Sequence, residues 1–341
     1  MWNRVLSARF SKTIYREVPV MARIQLISKE GRFYKANLHS HTTVSDGNLT
    51  PAEMKEKYKA MNYAIVAMTD HNILVDHREL NDPDFLTIPG MELHVEGWDG
   101  NILKTLHMNA LAKDPDHMRF VAPPAEYSIP CIQEKINELR AGGFIVNYNH
   151  PDWSSQEPSD YLPLEGFTAM EAYNHISEIH NGDGKSISQY DNMLRHGKRL
   201  FCIATDDNHN ELTYDGQRGG TDSFGGWTMI RAAELTHRAV MDAFVRGDFY
   251  CSTGPEIYDY YIEDGMICID CEPVANIYAK SVRPGSSAAV FAFGDELTHA
   301  AFPLAALPFN LDGSSYVRID IVRKDGKTAY TNPYYIAPGS I

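Results

Sequence analysis

Seven short apolar runs, each carrying side chains that can bind a metal or move a proton, constrain this chain more than any other feature. They lie at 36–41, 64–71, 85–92, 105–111, 144–150, 167–174 and 200–209. Runs that are apolar almost throughout suit strands buried on both faces, as in a parallel sheet. Helix signals fall between them. Thr50-Pro51-Ala52-Glu53 reads as an N-cap, a proline at the first helical position and a capping-box glutamate, opening a helix to about residue 62. Residues 130–141 stop at Gly142-Gly143, residues 187–196 stop at Gly197, and a further helix runs from Thr236 to Gly247. Strands alternating with helices, with polar groups at the strands' C-terminal ends, predict a β/α barrel with its site on that face. The second-to-third and third-to-fourth links are short or irregular, so the expected form is a distorted (β/α)7 TIM-like barrel.

After Thr253-Gly254-Pro255 the character changes. Helix signals cease, and Asp264-Gly265 and Asp325-Gly326 each sit between alternating runs, the pattern of a tight hairpin turn. The expected organisation is an N-terminal extension at 1–30, a barrel at 31–254 and a small all-β, sandwich-like module at 255–341. The first 23 residues carry Arg4, Arg9, Arg16 and Arg23 without an apolar core, unlike a secretory signal. A cytoplasmic location is the expectation, with oligomeric state left open.

Composition narrows the function. Basic residues number 31 against 45 acidic, a net charge of −14, which opposes bulk nucleic-acid binding and attraction to anionic membranes. No run approaches the ~20 apolar residues of a membrane span. The 5 cysteines are an odd number in a chain large enough to build its own core, so a disulfide framework is not expected, and Cys268-x-x-Cys271 lacks two further zinc ligands nearby.

Histidine stands out, with 14 in 341 residues. In His39-x-His41 both imidazoles point to one side of a strand, because side chains alternate with period two. Asp46 follows in a glycine-marked loop; His71, Glu92, His107 and His150 lie in the second to fifth runs, and Asp207-x-His209 closes the seventh. Six histidines and three carboxylates are too many ligands for one ion. At four to six ligands each they suit two or three divalent ions, and imidazole with carboxylate favours Mn, Zn or Fe over Ca. His94 is the main rival ligand, since it shares a face with Glu92; His175 and His180 are placed to reach the mouth, and the remaining histidines read as surface or loop residues. Gly184-Lys185-Ser186 is no P-loop, because Ile179 stands where the first glycine belongs.

These stretches resemble the polymerase and histidinol phosphatase (PHP) superfamily. The likeness rests on Leu38-His39-Ser40-His41, Met68-Thr69-Asp70-His71, Pro89-Gly90-Met91-Glu92, Leu106-His107-Met108-Asn109, Asn149-His150-Pro151 and Asp206-Asp207-Asn208-His209, in the family's order. The later stretch from Gly225-Gly226-Trp227 into the β module is similar to two-domain bacterial members. The resemblance implies a trinuclear centre: His39, His41, Glu92 and Asp207 around one ion, Glu92 bridging to a second held by His107 and His150, and Asp46, His71 and His209 around a third. Asp206 would be the alternative to Asp207; the Asp-x-His spacing favours Asp207. It also implies that Glu92, His107, Asp207 and His209 carry the catalytic step.

The chemistry so implied is hydrolysis of a small phosphomonoester, such as a nucleotide or sugar phosphate. Two ions sharing Glu92 would share a water, lower its pKa toward about 7 and let the bridging hydroxide attack phosphorus. Three divalent ions would bring +6 against −3 from Asp46, Glu92 and Asp207, so an acidic protein would hold a phosphate dianion there. Asn174 is expected to bond the substrate or a metal water, and Arg218, in a glycine-flanked loop, to clamp a second anionic group. Two other readings stay open: an amide or carbamate hydrolase using the same centre, and a non-catalytic metal- or ligand-binding module.

Overall fold

The computed structural model describes residues 23–210, 222–282, 288–291, 296–307 and 315–335. In chain order it forms β1 (Ile24–Gln25), β2 (Arg32–Asn37), α1 (Pro51–Ala60), β3 (Ile65–Met68), β4 (Leu86–Asp99), β5 (Ile102–Ala112), α2 (Ile129–Ala141), β6 (Phe144–Tyr148), α3 (Pro158–Tyr161) and β7 (Ala169–Asn174). It continues with α4 (His175–Asn181), α5 (Ile187–Arg195), β8 (Phe201–Thr205), β9 (Trp227–Ala232), α6 (His237–Arg246) and β10 (Phe249–Ser252). Beyond residue 254 come β11 (Ile257–Glu263), β12 (Met266–Val274), β13 (Asn276–Ser281), β14 (Ala288–Phe291), β15 (Leu297–Pro303), β16 (Tyr316–Val322), β17 (Thr328–Thr331) and β18 (Tyr334–Tyr335).

The helix boundaries follow their caps. At α1 the Thr50 side chain accepts from the Glu53 amide at 3.3 Å while the Thr50 amide donates to Glu53 Oε2 at 2.9 Å. Such reciprocal satisfaction of otherwise orphaned donors fixes the first turn. α6 opens on Thr236 and closes on Gly247 at φ +81°, a left-handed conformation that glycine adopts without penalty. The two hairpins expected after residue 254 are present as β11–β12 and β16–β17.

The seven apolar runs all become strands of one large mixed sheet, but not seven β/α units. Neighbours β2, β3 and β4 pair parallel, as do β6, β7 and β8. β4 instead runs on past Glu92 and turns through Gly100, at φ +60°, straight into β5, which pairs antiparallel with both β4 and β6. The regular alternation therefore fails at the third and fourth runs, where a long hairpin replaces a helical crossover. Among the described residues there are six α-helices.

One apolar cluster takes Ala36, Ile65, Ile88, Leu111, Ile145, Ala169, Ile203 and Ile230, a contribution from every strand β2 to β9. Strands from opposite ends of an open sheet cannot share a cluster, so the run curls. Its ends meet where Thr228 Oγ1 donates to the Ala204 carbonyl at 3.2 Å. α6 adds Val240, Met241 and Phe244 to this cluster.

The chain beyond residue 254 divides between two sheets. β13, β16 and β17 extend the large sheet through β10, while β1, β11, β12 and β15 form a second, four-stranded sheet. An apolar core of Ile262, Ile269 and Phe302 from one and Ile277, Ile319 and Ile321 from the other lies between them. β1 falls inside the stretch expected to be an extension: Ile24 and Gln25 pair with Ile262 and Tyr261, and Ile27 is buried. Ile27 alone of this apolar stretch is buried, and Leu26 packs partly buried against the same core. Among the described residues no helix is long and apolar enough to cross a membrane.

Candidate metal centre

The segment just past β2 delivers the first two groups, on either side of the Ser40–Asn208 bridge. His39 and His41 are fully buried, and His39 Nδ1 lies 2.7 Å from Glu171 Oε1. Glu171 also accepts from Thr205 Oγ1 at 2.7 Å, Asn174 Nδ2 at 2.9 Å and the His150 amide at 3.0 Å. Four donors engage the whole carboxylate, so the His39 Nδ1–H is committed to it, and in its neutral form His39 presents a lone pair at Nε2. That atom stands 3.0 Å from Asp207 Oδ1, 3.2 Å from Glu92 Oε1 and 3.1 Å from His41 Nε2. His41 Nε2 is 2.9 Å from Asp207 Oδ1 and 3.3 Å from Glu92 Oε2.

Glu92 continues the cluster on its other side. His107 Nδ1 is 3.0 Å from Oε1, His71 Nδ1 is 3.0 Å from Oε2, and His150 Nε2 is 3.5 Å from Oε1. Nearer solvent, Asp46 carboxylate oxygens lie 3.7 Å from His41 Nδ1, 3.6 Å from His71 Nε2 and 3.5 Å from His209 Nε2. Four overlapping sets thus have their ligand atoms within 4.8 Å of one another: His39–His41–Glu92–Asp207, His39–His150–Glu171, His71–Glu92–His107 and His41–Asp46–His71–His209. All nine residues singled out in the sequence fall in one connected network; His41 and His71 each face two sets through their two ring nitrogens.

These residues fit metal ions. Whichever His41 nitrogen carries a proton, the other aims a lone pair at carboxylate oxygen, and His41 Nδ1 and Glu92 Oε2 are buried without a hydrogen-bond partner. Converging lone pairs repel unless a cation lies between them. Ligand atoms ~2.0–2.1 Å from a zinc-sized ion at tetrahedral angles are about 3.3 Å apart, the scale of the separations around Asp207 and Glu92. Imidazole and carboxylate without thiolate suit Mn, Zn or Fe.

The electrostatics show the same demand for positive charge. Burial would raise the Glu92 carboxyl, but the His39 imidazole and the hydrogen bonds from His107 and His150 outweigh it and hold the group well below the usual carboxylate range. Asp207 is likewise depressed, burial being overcome by His39 and His41. On the imidazole side, burial would lower His209 but hydrogen bonding to Asp46 prevails and pushes it up to about 9. His107 goes the other way, lowered to about 4 by burial, which leaves it neutral and able to ligate.

Backbone conformation separates the two adjacent aspartates. Asp207 sits at φ +53° and His150 at φ +22°, conformations that cost non-glycine residues energy and need surrounding structure to hold them. The Asp207 turn sends its side chain into the cluster and the Asp206 side chain away. Asp206 accepts from the amides of Phe224, Gly225 and Gly226 at 2.8, 2.8 and 3.0 Å and from Tyr58 Oη at 2.8 Å. Asp206 anchors the 224–226 turn and is not free to ligate.

Other expectations fare differently. Asn174 is fully buried and caps α4, its Oδ1 accepting from the Ser177 amide at 3.1 Å and its Nδ2 donating to Glu171 and to Asp207 Oδ2 at 3.0 Å. Both ends of its amide are thereby engaged, and two of its three partners are carboxylates. Arg218 lies outside the described residues. His94 is not in a ligand set; its Nδ1 is 3.0 Å from Asn72 Nδ2. His175 bonds Tyr173 Oη at 2.9 Å. Sequence reasoning missed Asn149, whose Nδ2 donates to Glu92 Oε1 at 2.7 Å, and Trp153, whose ring meets His107 and His150 edge-on at 5.6 and 5.0 Å. Their signal was adjacency to His150 alone.

The cluster forms the floor of a pocket of about 150 Å³ that Glu92, His107, Asp207 and His209 all line, with Trp153 and residues of α4 forming the wall.

No family model and no curated protein matches the chain. Among solved structures it is similar to a two-domain protein from Bacteroides vulgatus ATCC 8482 containing a predicted PHP-like metal-dependent phosphoesterase, at 14% identity and a TM-score of 0.46 over 92% of this chain and 96% of that one. It is also similar to a Bifidobacterium adolescentis ATCC 15703 protein named as a metal-dependent phosphoesterase, at 14% identity and a TM-score of 0.36 over 57% and 93% of the two chains. A third is an amidohydrolase from Chromobacterium violaceum with bound sulfate, at 16% identity and a TM-score of 0.35 over 54% and 90%.

Proposed function

We propose that the chain is a metal-dependent hydrolase that cleaves a small phosphomonoester at a centre of two to three divalent ions, built at the mouth of a distorted β/α barrel. The observation that carries this reading is Glu92, whose two carboxylate oxygens face His39 and His107 on one side and His41 and His71 on the other within 3.3 Å. A carboxylate so placed suits two cations, and paired ions are the arrangement that serves phosphoryl displacement. His39, His41, Glu92 and Asp207 would hold one ion, Glu92 with His107 and His150 a second, and Asp46 with His71 and His209 a third. Bound there, divalent ions would supply Lewis acidity, acidifying a water and neutralising phosphoryl oxygens.

The chain's own residues prepare that chemistry. Glu171 fixes the His39 tautomer, Asn174 ties Glu171 to Asp207, and Asn149 holds Glu92 from behind, so little reorganisation accompanies ligation. The buried floor limits water around the reacting groups while the exposed Asp46 edge leaves an entrance.

The test is to assay Mn-loaded protein against p-nitrophenyl phosphate and a nitrophenyl carbamate in parallel. Phosphate hydrolysis that falls at least about a thousandfold in Glu92→Gln supports the proposal. Carbamate hydrolysis without phosphate hydrolysis, or phosphatase activity indifferent to Glu92→Gln, would overturn it.

A further inference from the structure

The pocket above the cluster has a chemical character of its own. Its outer wall comprises the Trp153 ring, 40% exposed, and Ile176, Ser177, His180 and Asn181 from one side of α4. Among the described residues no lysine or arginine lines it. Lys185, near α4, is 62% exposed and paired with Glu178 at 2.5 Å, so its charge is spent elsewhere.

Trp153 is held by more than contact with solvent. Its ring stands edge-on to two candidate ligands, His107 and His150, at interplanar angles of 66° and 85°. Ser154, the next residue, bonds His150 Nδ1 at 3.1 Å, and its amide donates to the His150 carbonyl at 3.1 Å. The turn that positions His150 thereby also positions Trp153, and a group bound at the cluster has the indole as its immediate neighbour. The space, about 150 Å³ with the part over the cluster included, restricts the leaving group to a small one.

We infer that, on the phosphoester reading above, the substrate is a monoester of an uncharged, flat leaving group, an aryl or comparable single-ring alcohol. It is not a bisphosphate or a phosphorylated carboxylic acid. The ring would pack between Trp153 and Ile176, with Ser177, His180 and Asn181 able to meet one polar substituent. An anionic leaving group would find no described cation and would face Asp207 and Glu92 across a small pocket.

Three non-hydrolysable probes test the inference on Mn-loaded protein: methylphosphonate, phenylphosphonate and phosphonoacetate, titrated by calorimetry and by tryptophan fluorescence. Phenylphosphonate should bind about tenfold or more tightly than methylphosphonate, as expected when a ring gains an aromatic partner and loses water, and should perturb tryptophan emission. Phosphonoacetate should bind no tighter than methylphosphonate. Trp153→Ala should bring the phenyl-to-methyl ratio within about threefold, and Trp153→Phe should preserve most of the ratio. The methylphosphonate value in each variant reports whether the cluster itself survives the substitution. Equal affinity for the phenyl and methyl probes in the unmodified protein, or tighter binding of phosphonoacetate than of phenylphosphonate, would overturn the inference and leave the phosphoester reading standing. Failure of all three phosphonates to bind would overturn that reading and the inference with it.

Discussion

At the scale of single residues, the neighbouring aspartates 206 and 207 make opposite predictions. Asp206 accepts three backbone amides and a tyrosine hydroxyl, so Asp206→Asn places an amide donor against donors. It should destabilise the fold by about 2–3 kcal/mol in a denaturant titration while leaving metal stoichiometry unchanged. Asp207→Asn should do the reverse, with little loss of stability in metal-free protein and at least about tenfold weaker metal binding by chelator competition. Glu171→Gln makes a third case. Every lone pair of that carboxylate is engaged, so one amide face must oppose a donor, and metal affinity should fall by about 10–100-fold although Glu171 is not expected to ligate. The nine ligand candidates were legible because period-two alternation and position at run ends are properties of sequence. Asn174 was not, since an amide that can donate and accept suits a substrate and a cap equally well. Only its contacts with Ser177, Glu171 and Asp207 decide.

Among the elements, the loop between β2 and α1 offers the sharpest test. A Cβ on Gly47 would lie 2.2 Å from the His41 carbonyl oxygen, and the loop is tied down by the Gly47 amide donating to the Thr42 carbonyl at 2.9 Å. Gly47→Ala must displace the segment carrying Asp46, so metal analysis should find one ion fewer per chain than in the unmodified protein under saturating conditions. Retention of the full complement would show that Asp46 does not hold an ion. Thr50→Ala, in the same stretch, should cost about 1 kcal/mol of stability through the lost cap, with the centre unaffected. Helices of this chain are readable from such caps, and α1, α2, α5 and α6 start and stop close to where capping residues and glycines put them. The β4–β5 hairpin was not readable: the run ending at Glu92 has the look of a strand terminus, and the alternation that carries β4 to Asp99 is weak. Two faces of a ribbon that is partly exposed, with Trp98 72% accessible, leave no clear apolar period.

For the molecule as a whole, the large sheet runs through residue 254 without a break, and Arg318 of β16 donates to Asp191 of α5 at 3.0 Å and to Asp320. Arg318 is fully buried, so Arg318→Met would leave two carboxylates without their countercharge and should destabilise the protein by about 3–5 kcal/mol. Calorimetry should show one cooperative transition in the unmodified protein, lowered as a unit by this change; two transitions, only one of them shifted, would contradict the continuity of the fold. Metal belongs to this scale too, because ions that bind only the folded chain add to its stability. The central claim is a shared-ligand centre around Glu92, and anomalous diffraction from Mn-loaded crystals tests it most directly. The account predicts at least two anomalous peaks about 3.5–4 Å apart, both in contact with the Glu92 carboxylate, one beside His39, His41 and Asp207 and the other beside His107 and His150. A single peak, or ions that leave Glu92 untouched, would contradict it.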